Sequence, residues 1–249
     1  MRRSVRANRP DVALDSFEGA VAVVTGGAGG IGSGVVRALR ARGAAVVVLD
    51  LRHSADATLS MLCDVTDPDS VEFAITHARA ELGVASLLVC SAGVVSEHPL
   101  DQLAAAEWHR VVDVSLTSAY LVSKSVVPAM AEAGGGAVVT MSSGWARKGY
   151  PFGPHYAAAK SGVEALTKSL ALEFASKGVR ANSIAPGPIR TAMIDDNSAF
   201  DAAAKVDAIP MGRLGDVEDV VLPTLFLLGK DSRYVTGQVL HVNGGLLMP

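Results

Sequence analysis

TGGAGGIG, residues 25–32, lies between an apolar, β-branched run (AVAVVT) and a segment of helical character. Gly26 permits a tight turn, while Gly30 and Gly32 let the backbone approach a pyrophosphate and let the helix pack on a sheet. The N-terminus of that helix offers free backbone N–H groups and a positive dipole end to an anion. Glycine clusters also mark ordinary turns, but a position between strand and helix predicts a phosphate-binding loop.

Apolar segments of two kinds alternate from this loop outward to both ends of the chain. Continuous apolar strands between helices are typical of a parallel sheet covered on both faces. The sequence therefore predicts an α/β fold, a single doubly wound, Rossmann-like domain with seven parallel strands. The predicted strands are Ala20–Thr25, Ala44–Asp50, Leu59–Cys63, Ser86–Cys90, Ala137–Ser142, Val179–Ala185 and Gln238–Val242. The predicted helical segments are Gly30–Arg42, Pro68–Leu82, Leu100–Glu132 (broken near His109), His155–Lys177 and Asp216–Gly229.

Charge and composition exclude several classes of protein. The net charge is −3, and four arginines lie in an N-terminal stretch, residues 1–18, which is expected to be a flexible tail. Without these arginines the rest of the chain is more acidic and is a poor match for nucleic acid. The tail itself can still be read as an arm that binds nucleic acid or anionic lipid. We expect no signal peptide and no membrane span. Cys63 and Cys90 have no CxxC partner, which favours reduced thiols and a cytoplasmic location. The four arginines are Arg2, Arg3, Arg6 and Arg9.

Asp50 ends the second predicted strand, after the glycine-rich loop. A carboxylate at this point can accept hydrogen bonds from the adenosine ribose hydroxyls and would repel a 2′-phosphate. The loop itself contains no Lys or Arg, and Arg52 is the one nearby candidate to hold such a phosphate. The sequence therefore favours NAD over NADP, although Asp50 can also be read as a solvated residue at a strand end.

Tyr156 and Lys160 stand four residues apart at the start of the longest predicted helix, so they share one helix face. A tyrosine is a poor base at neutral pH, and a nearby ammonium lowers its pKa. By itself the pair is common by chance. Ser143 strengthens the interpretation because it ends a predicted strand, and ligands bind at the carboxyl edge of a parallel sheet. Its hydroxyl can hold a substrate oxygen beside the tyrosine.

These residues resemble the short-chain dehydrogenase/reductase family in its single-domain subgroup of about 250 residues. The resemblance covers residues 19 to about 247. It rests on motifs in the family's order: Thr25–Gly32, Asp64-Val65, Ser143 with Tyr156 and Lys160, Arg180-Ala181-Asn182, Pro186-Gly187 with Thr191, Gly237 and Asn243-Gly244-Gly245. The resemblance implies that residues 19–249 form one dinucleotide-binding and catalytic domain, which transfers a hydride between NAD(H) and an alcohol or carbonyl carbon.

The resemblance also implies roles for individual residues. Tyr156 would exchange a proton with the substrate oxygen, Lys160 would bind the nicotinamide ribose and lower the tyrosine pKa, and Ser143 would orient the reacting oxygen. Asp64 would contact the adenine, and residues 186–191 would line the amide side of the nicotinamide. The implied cofactor-binding residues are Gly26, Gly29, Gly30, Ile31, Asp50, Leu51, Asp64, Val65, Ser91, Ala92, Gly93, Tyr156, Lys160, Pro186, Gly187, Ile189 and Thr191.

Two positions depart from the family pattern. Cys90-Ser91-Ala92-Gly93 replaces the usual Asn-Asn-Ala-Gly, and a thiol cannot make the amide's hydrogen bonds. Ser115 replaces the asparagine to which the family assigns a relay water, and we include it in the catalytic set. A helical serine prefers to bond its own helix backbone, so we expect a rearranged water path or a slower proton step.

Several alternatives stay open. The chain can be a non-catalytic dinucleotide sensor on the same fold, an NADP(H)-dependent reductase of the 3-oxoacyl type, or a mainly structural oligomer. The six histidines lack metal-ligand spacing, and no GxSxG elbow of a serine hydrolase is present. Apolar residues after Ser143 and in the long irregular stretch 186–210, an expected lid, favour a small apolar or cyclic secondary alcohol or ketone. Apolar helix stripes and the apolar C-terminus match the interface of the family's homotetramers. The pocket candidates are Trp145, Tyr150, Phe152, Met193, Ile194 and Phe200.

Overall fold

The computed structural model describes residues 16–191 and 206–249, and these form one seven-stranded parallel sheet with helices on both faces. The strand order is β3-β2-β1-β4-β5-β6-β7, which confirms the predicted doubly wound, Rossmann-like architecture. The strands are β1 (Val21–Thr25), β2 (Ala45–Asp50), β3 (Leu59–Leu62), β4 (Leu87–Cys90), β5 (Gly136–Met141), β6 (Val179–Pro186) and β7 (Val239–Val242).

The helices of the described residues overlap the predicted segments, except for the short helix α5, which was not predicted. They are α1 (Gly30–Arg40), α2 (Pro68–Leu82), α3 (Ala105–Val112), α4 (Ser118–Glu132), α5 (Trp145–Lys148), α6 (Pro154–Phe174) and α7 (Val217–Leu228). No helix among these residues is long and apolar enough to cross a membrane. Arg2, Arg3, Arg6 and Arg9 of the tail, and Met193, Ile194 and Phe200 of the irregular stretch, lie outside the described residues.

The core consists of two apolar layers, one on each face of the sheet. In β1, Val23 packs in the layer that contains α2 and α4, whereas Val24 packs in the layer that contains α1 and α7. Both faces are buried, so the strands show continuous apolar runs rather than alternation. Phe17 lies in the second layer and its N–H donates to the Arg42 carbonyl at 2.9 Å, so the packed chain includes residues before position 19.

The predicted break near His109 is wrong. The chain stays helical from α3 through a π-helical turn, Asp113–Thr117, and into α4. His109 is exposed while Val111 is fully buried, so the local polarity marks the solvent face of a continuous helix. The irregularity lies several residues later, where the π-turn adds one residue to the helical repeat.

Arg180 of the Arg-Ala-Asn motif stabilises the end of α7. Its Nη1 donates to the carbonyl of Leu227 and to Ser232 Oγ, each at 2.8 Å, and its Nη2 donates to the carbonyl of Gly229 at 2.9 Å. Carbonyls of the last helical turn have no partner within the helix, and a cation near them also matches the helix dipole. The motif therefore anchors α7 to β6, and its role is structural.

Candidate active site

The strand order reverses between β1 and β4, and a crevice opens at their carboxyl ends. Thr25 Oγ1 accepts the backbone N–H groups of Ser91 and Ala92, each at 3.1 Å, and so ties the two strand ends together. A side chain at Gly26 would come within 2.9 Å of the Ala92 backbone. The threonine hydroxyl therefore fixes the segment after Cys90, where the sequence departs from the family's Asn-Asn-Ala-Gly pattern.

The glycine-rich loop has the close packing that a phosphate cradle needs. Gly26 has a φ of +67°, and a Cβ on Gly32 would lie 2.2 Å from the Gly26 carbonyl oxygen. Only glycine fits at Gly32, because the opposing atom is backbone. Helix α1 starts after Gly29 with no side-chain cap and no acidic residue in its first turn. Its free N–H groups and dipole fit the pyrophosphate of a dinucleotide, which supplies the hydride-carrying ring when bound.

Asp50 ends β2 directly beside this loop. One carboxylate oxygen accepts the N–H of Ala28 at 3.0 Å, and the other accepts the N–H of Arg52 at 3.1 Å. These bonds fix the carboxylate against the loop that would carry the adenosine. The Arg52 guanidinium also approaches the loop, since a Cβ on Gly29 would lie 3.0 Å from its Nη2.

The other implied cofactor residues gather along the same edge of the sheet. Leu51 is 73% exposed, whereas Val65 and Ile189 are buried. Asp64 Oδ1 accepts both the N–H and the hydroxyl of Thr66. Thr191 reaches the glycine-rich loop, because its Cγ2 lies 3.8 Å from the position of a Cβ on Gly30. The residues at this edge are Gly26, Gly29, Gly30, Ile31, Asp50, Leu51, Asp64, Val65, Ser91, Ala92, Gly93, Pro186, Gly187, Ile189 and Thr191.

Tyr156, Lys160 and Ser143 converge where β5 meets α6. The Ser143 hydroxyl hydrogen-bonds the phenol of Tyr156 and also accepts the N–H of Trp145 at 3.3 Å. The ammonium of Lys160, which is 4% exposed, lies 5.7 Å from the centre of the Tyr156 ring and donates to the Met141 carbonyl at 2.8 Å. The structure thus brings together a phenol, an ammonium and a hydroxyl from two distant chain segments.

Burial dominates the ionisation of this group. It raises the pKa of Tyr156 above its ordinary value, and the hydrogen bond from Ser143 acts in the opposite direction. Burial lowers the pKa of Lys160 from 10.5 to about 8. The sequence predicted a lowered pKa for Tyr156. In the structure, desolvation of the phenol outweighs the hydrogen bond from Ser143, so the surrounding protein by itself does not lower this pKa.

Ser115 lies in the π-turn beside Lys160 but does not bond its own helix. Its Oγ donates to the Val94 carbonyl and accepts the Val94 N–H, each at 3.3 Å. This corrects the expectation of a bond to the helix backbone, and the reason is that the π-turn directs the side chain toward the segment after β4. A Cβ on Gly93 would lie 3.2 Å from Lys160 Nζ and 3.6 Å from Ser115 Oγ, so glycine there leaves space between the three residues.

Aromatic rings form one wall beside Tyr156. Trp145 and Tyr150 stack at 4.4 Å between ring centres, and Tyr150 meets Tyr156 edge-on at 6.2 Å. The Tyr150 hydroxyl donates to the carboxylate of Glu97. Phe152, a third predicted pocket residue, is mostly exposed and has a φ of +64°. Trp145 and Tyr150 are thus the two predicted aromatic residues that pack together next to the reactive phenol.

His155 is fully buried, so its ring belongs to the packing behind the wall. Its Nε2 hydrogen-bonds Ser96 Oγ at 2.9 Å, and its ring lies 6.5 Å from those of His98 and Trp108. No group of three or more His, Cys, Asp or Glu side chains in the described parts of the chain is arranged to hold a metal ion.

Sequence reasoning missed a buried carboxylate, Glu164, one helical turn beyond Lys160. It bonds Ser142 and Arg147, which flank the Ser143 segment. The signal was available in the spacing, because Tyr156, Lys160 and Glu164 follow each other at intervals of four and must share one face of α6.

Comparison with known proteins gives the same fold and chemistry. A family model described as enoyl-(acyl carrier protein) reductase matches residues 26–247. A 3-oxoacyl-(acyl-carrier-protein) reductase of Salmonella typhimurium is 36% identical, with 94% of this chain and 99% of that protein covered. A cis-4-hydroxycyclohexanecarboxylate dehydrogenase of Sinomonas cyclohexanicum is 38% identical, with 93% and 98% covered. The ligand-free aldohexose dehydrogenase of Thermoplasma acidophilum superposes with a TM-score of 0.88 at 30% identity, with 92% and 94% covered.

The chain belongs to the short-chain dehydrogenase/reductase family. It is an oxidoreductase that transfers a hydride between a nicotinamide dinucleotide and an alcohol or carbonyl carbon of a small molecule. The resemblance found in the sequence is confirmed.

Proposed function

We propose that this enzyme interconverts a secondary alcohol and a ketone with NAD(H), and that Tyr156 exchanges the proton. The observation that carries the proposal is the convergence of Tyr156, Ser143 and Lys160 at the carboxyl edge of the sheet. Such convergence has no purpose in a non-catalytic sensor or a structural oligomer, which favours the enzyme over both alternatives.

In the oxidative direction the ionised phenol of Tyr156 accepts the hydroxyl proton of the alcohol. A bound nicotinamide ring would serve as the acceptor of the hydride from the alcohol carbon, and the product would be a ketone. Ser143 donates to the reacting oxygen and holds it next to the phenol. Lys160 supplies positive charge that favours the ionised phenol and offers donors to the nicotinamide ribose. Ser115, buried beside Lys160, is a candidate for passing the proton onward.

We infer a small apolar or cyclic substrate from the aromatic wall. Trp145 and Tyr150 present stacked rings beside the reactive oxygen, and a saturated or flat ring packs well against such a surface. We expect NADH formation in a panel of secondary alcohols that includes cyclohexanol and its carboxylated and methylated derivatives. Absence of NADH formation with cyclic alcohols, together with NADPH-dependent reduction of ethyl acetoacetate, would favour the 3-oxoacyl type of reductase instead.

We propose NAD as the preferred cofactor because of Asp50. Its carboxylate is fixed against the glycine-rich loop by two backbone N–H groups. A 2′-phosphate in that position would meet a negative charge, and we therefore expect kcat/KM with NAD⁺ to exceed that with NADP⁺ by at least about tenfold, or about 1.4 kcal/mol. The same initial-rate assay with each cofactor measures this ratio.

The Asp50→Ser variant tests the cause of this preference. It removes the repulsion and leaves Arg52 close to Gly29, so the NAD⁺/NADP⁺ ratio is expected to fall toward one or below it. Asp56→Ser, at an exposed aspartate of the following loop, is the control and should leave the ratio unchanged. An unaltered ratio in Asp50→Ser would show that another residue selects the cofactor.

We also propose that the enzyme forms a homotetramer in the cytoplasm. Exposed apolar side chains on helices α4, α6 and α7 support the assembly, among them Tyr120, Leu172 (86% exposed) and Phe226. Two buried free thiols, Cys63 and Cys90, support a reducing compartment. Light scattering at micromolar concentration should give about four times the chain mass of 25.6 kDa, and a monomer mass would contradict the proposal.

A further inference from the structure

Three consecutive residues at the end of β5 contact the same face of α6. The Met141 carbonyl accepts from Lys160, the Ser142 hydroxyl donates to Glu164, and the Ser143 hydroxyl hydrogen-bonds the Tyr156 phenol. The three partners on the helix are spaced by four residues, so the strand end and the helix meet as two matched rows. Two of these contacts belong to the proposed catalytic group. The third, at Glu164, has no role in the chemistry derived above.

Glu164 is a buried carboxylate with both oxygens engaged. The residue is 4% exposed. Its Oε1 accepts the Ser142 hydroxyl at 2.8 Å, and its Oε2 forms an ion pair with Arg147, at 2.7 Å from Nε. A buried carboxylate that loses a partner is strongly unfavourable, because its charge is then left without compensation. The two bonds therefore hold Ser142 and Arg147 firmly in place relative to α6.

Ser142 and Arg147 flank the segment that orients Ser143. Arg147 lies in the short helix α5, which starts at Trp145, and the Trp145 N–H donates to Ser143 Oγ at 3.3 Å. A hydroxyl that accepts this N–H keeps its own proton, which it can donate to the ionised phenol of Tyr156 in the free enzyme and to the substrate oxygen when substrate is bound. A second contact, from Ser161 Oγ to the Ala146 carbonyl at 2.8 Å, also joins α5 to α6. Loss of Glu164 therefore loosens the segment without detaching it.

We propose that Glu164 is a positioning residue: its carboxylate bridges Ser142 and Arg147 and so keeps the Ser143 hydroxyl directed at Tyr156. The inference rests on the proposed function for its effect on turnover, and on the geometry alone for its effect on the phenol. Misplacement of a reacting group by about 1 Å costs about 10²-fold in rate. Glu164 thus acts on the reaction through a loop, without touching the substrate.

Charged and titratable side chains lie next to both Glu164 and Tyr156. Arg147 and His241 face Glu164, and burial lowers the pKa of His241 while Glu164 raises it. Lys160 and Tyr150 face Tyr156. Loss of the Glu164 negative charge would by itself lower the Tyr156 pKa, so an upward shift in a Glu164→Gln variant reports the orientation of Ser143.

The first measurement follows the ionisation of Tyr156 directly and needs no substrate. Ultraviolet difference titration detects tyrosinate, and the signal of Tyr156 is obtained by subtracting the same titration of matched Tyr156→Phe proteins. In Glu164→Gln the side chain is neutral and keeps one acceptor oxygen, so it can no longer accept from Ser142 and pair with the Arg147 cation as the carboxylate does, and Ser143 loses its orientation. The Tyr156 midpoint should move to higher pH, because the bond that lowers its pKa is weakened. An unmoved midpoint overturns the inference whatever the enzyme's substrate.

The second measurement uses the alcohol oxidation assay with NAD⁺. Glu164→Gln and Arg147→Met should each lower kcat by about 10–100-fold, with KM for NAD⁺ near the wild-type value. Arg147→Lys keeps a cation for the carboxylate and should restore much of the rate. Glu173→Gln, at an exposed carboxylate of the same helix, is the control. If thermal stability falls while kcat and the pH profile stay at wild-type values, Glu164 is only structural and the inference is wrong.

Failure of the proposed function has a different signature. Wild-type protein that oxidises no alcohol, or a Tyr156→Phe variant that turns over normally, contradicts the assignment of the reaction but leaves the Tyr156 titration midpoint measurable. The shift of that midpoint in Glu164→Gln then decides the positioning role separately.

Discussion

Replacement of Tyr156 by Phe is expected to lower kcat by about 10³-fold or more, the upper part of the range for general acid–base catalysis. The phenol is the one group of the site that can exchange a proton with the substrate oxygen while Ser143 holds that oxygen in place. The substitution removes a single oxygen atom, so the half-buried ring keeps its packing against Tyr150. Initial rates of NADH formation measure the loss.

Dinucleotide binding separates this effect from misfolding. A fluorescence titration with NADH should give nearly the same Kd for Tyr156→Phe and wild type, since the glycine-rich loop and Asp50 are unchanged. Tyr120→Phe, at an exposed tyrosine of α4, serves as the control and should keep full activity. Near-normal turnover by Tyr156→Phe would remove the acid–base assignment.

Replacement of Lys160 by Met is expected to abolish most activity and to stabilise the protein. Without the ammonium the ionised phenol loses its positive neighbour and the nicotinamide ribose loses a donor, so kcat/KM should fall by at least about 10²-fold. The same ammonium is costly in the folded state, because burial lowers its pKa from 10.5 to about 8. Lys168→Met, at an exposed position of the same helix, is the control for both measurements.

The size of the stability effect depends on pH. Below pH 8 both folded and unfolded chains carry the charged lysine, and the folded chain pays its full desolvation cost. Between pH 8 and 10.5 the folded chain releases the proton first, so this cost diminishes as pH rises. The free energy of unfolding of Lys160→Met should therefore exceed that of wild type by about 1–3 kcal/mol at pH 7. Part of the gain is offset because the Met141 carbonyl loses the hydrogen bond from Lys160. Denaturant unfolding at pH 7 and pH 10 should show that advantage shrinking; a variant less stable at pH 7 would contradict it.

Much of the fold was predictable because its signals are local. The two sheet faces are both buried, so every strand appears as an apolar run, and the glycine spacing before α1 leaves few alternatives to a phosphate loop. Tyr156, Lys160 and Ser143 were predictable from their spacing and their place at strand and helix ends. The bounds of α2, Pro68–Leu82, match the prediction, since Asp67 caps it and Pro68 occupies its first turn.

What sequence reasoning missed depends on contacts between distant segments. The polarity around His109 resembles an interruption until the fold shows which side of the helix meets solvent. The spacing places Glu164 on the helix face of Tyr156 and Lys160, but its burial follows only from the packing of β5 and α5 against it. The hydrogen bonds of Ser115 follow from a π-turn, which is defined by its backbone hydrogen bonds. No pattern of side chains in the sequence predicts such a turn. The ionisation of Tyr156 is likewise a balance between burial and its partners, which spacing alone does not set.

The π-turn makes the length of this helical region as important as its composition. Each residue of an α-helix advances its side chain by about 100° around the axis. The extra residue within Asp113–Thr117 therefore sets the angle between the core-facing side of α3, at Val111, and that of α4, at Val122 and Met130. A one-residue deletion within α3 or α4 would rotate one of these apolar faces by about 100°, whereas a deletion in the wide turn can be taken up by closing it to a regular α-helical turn.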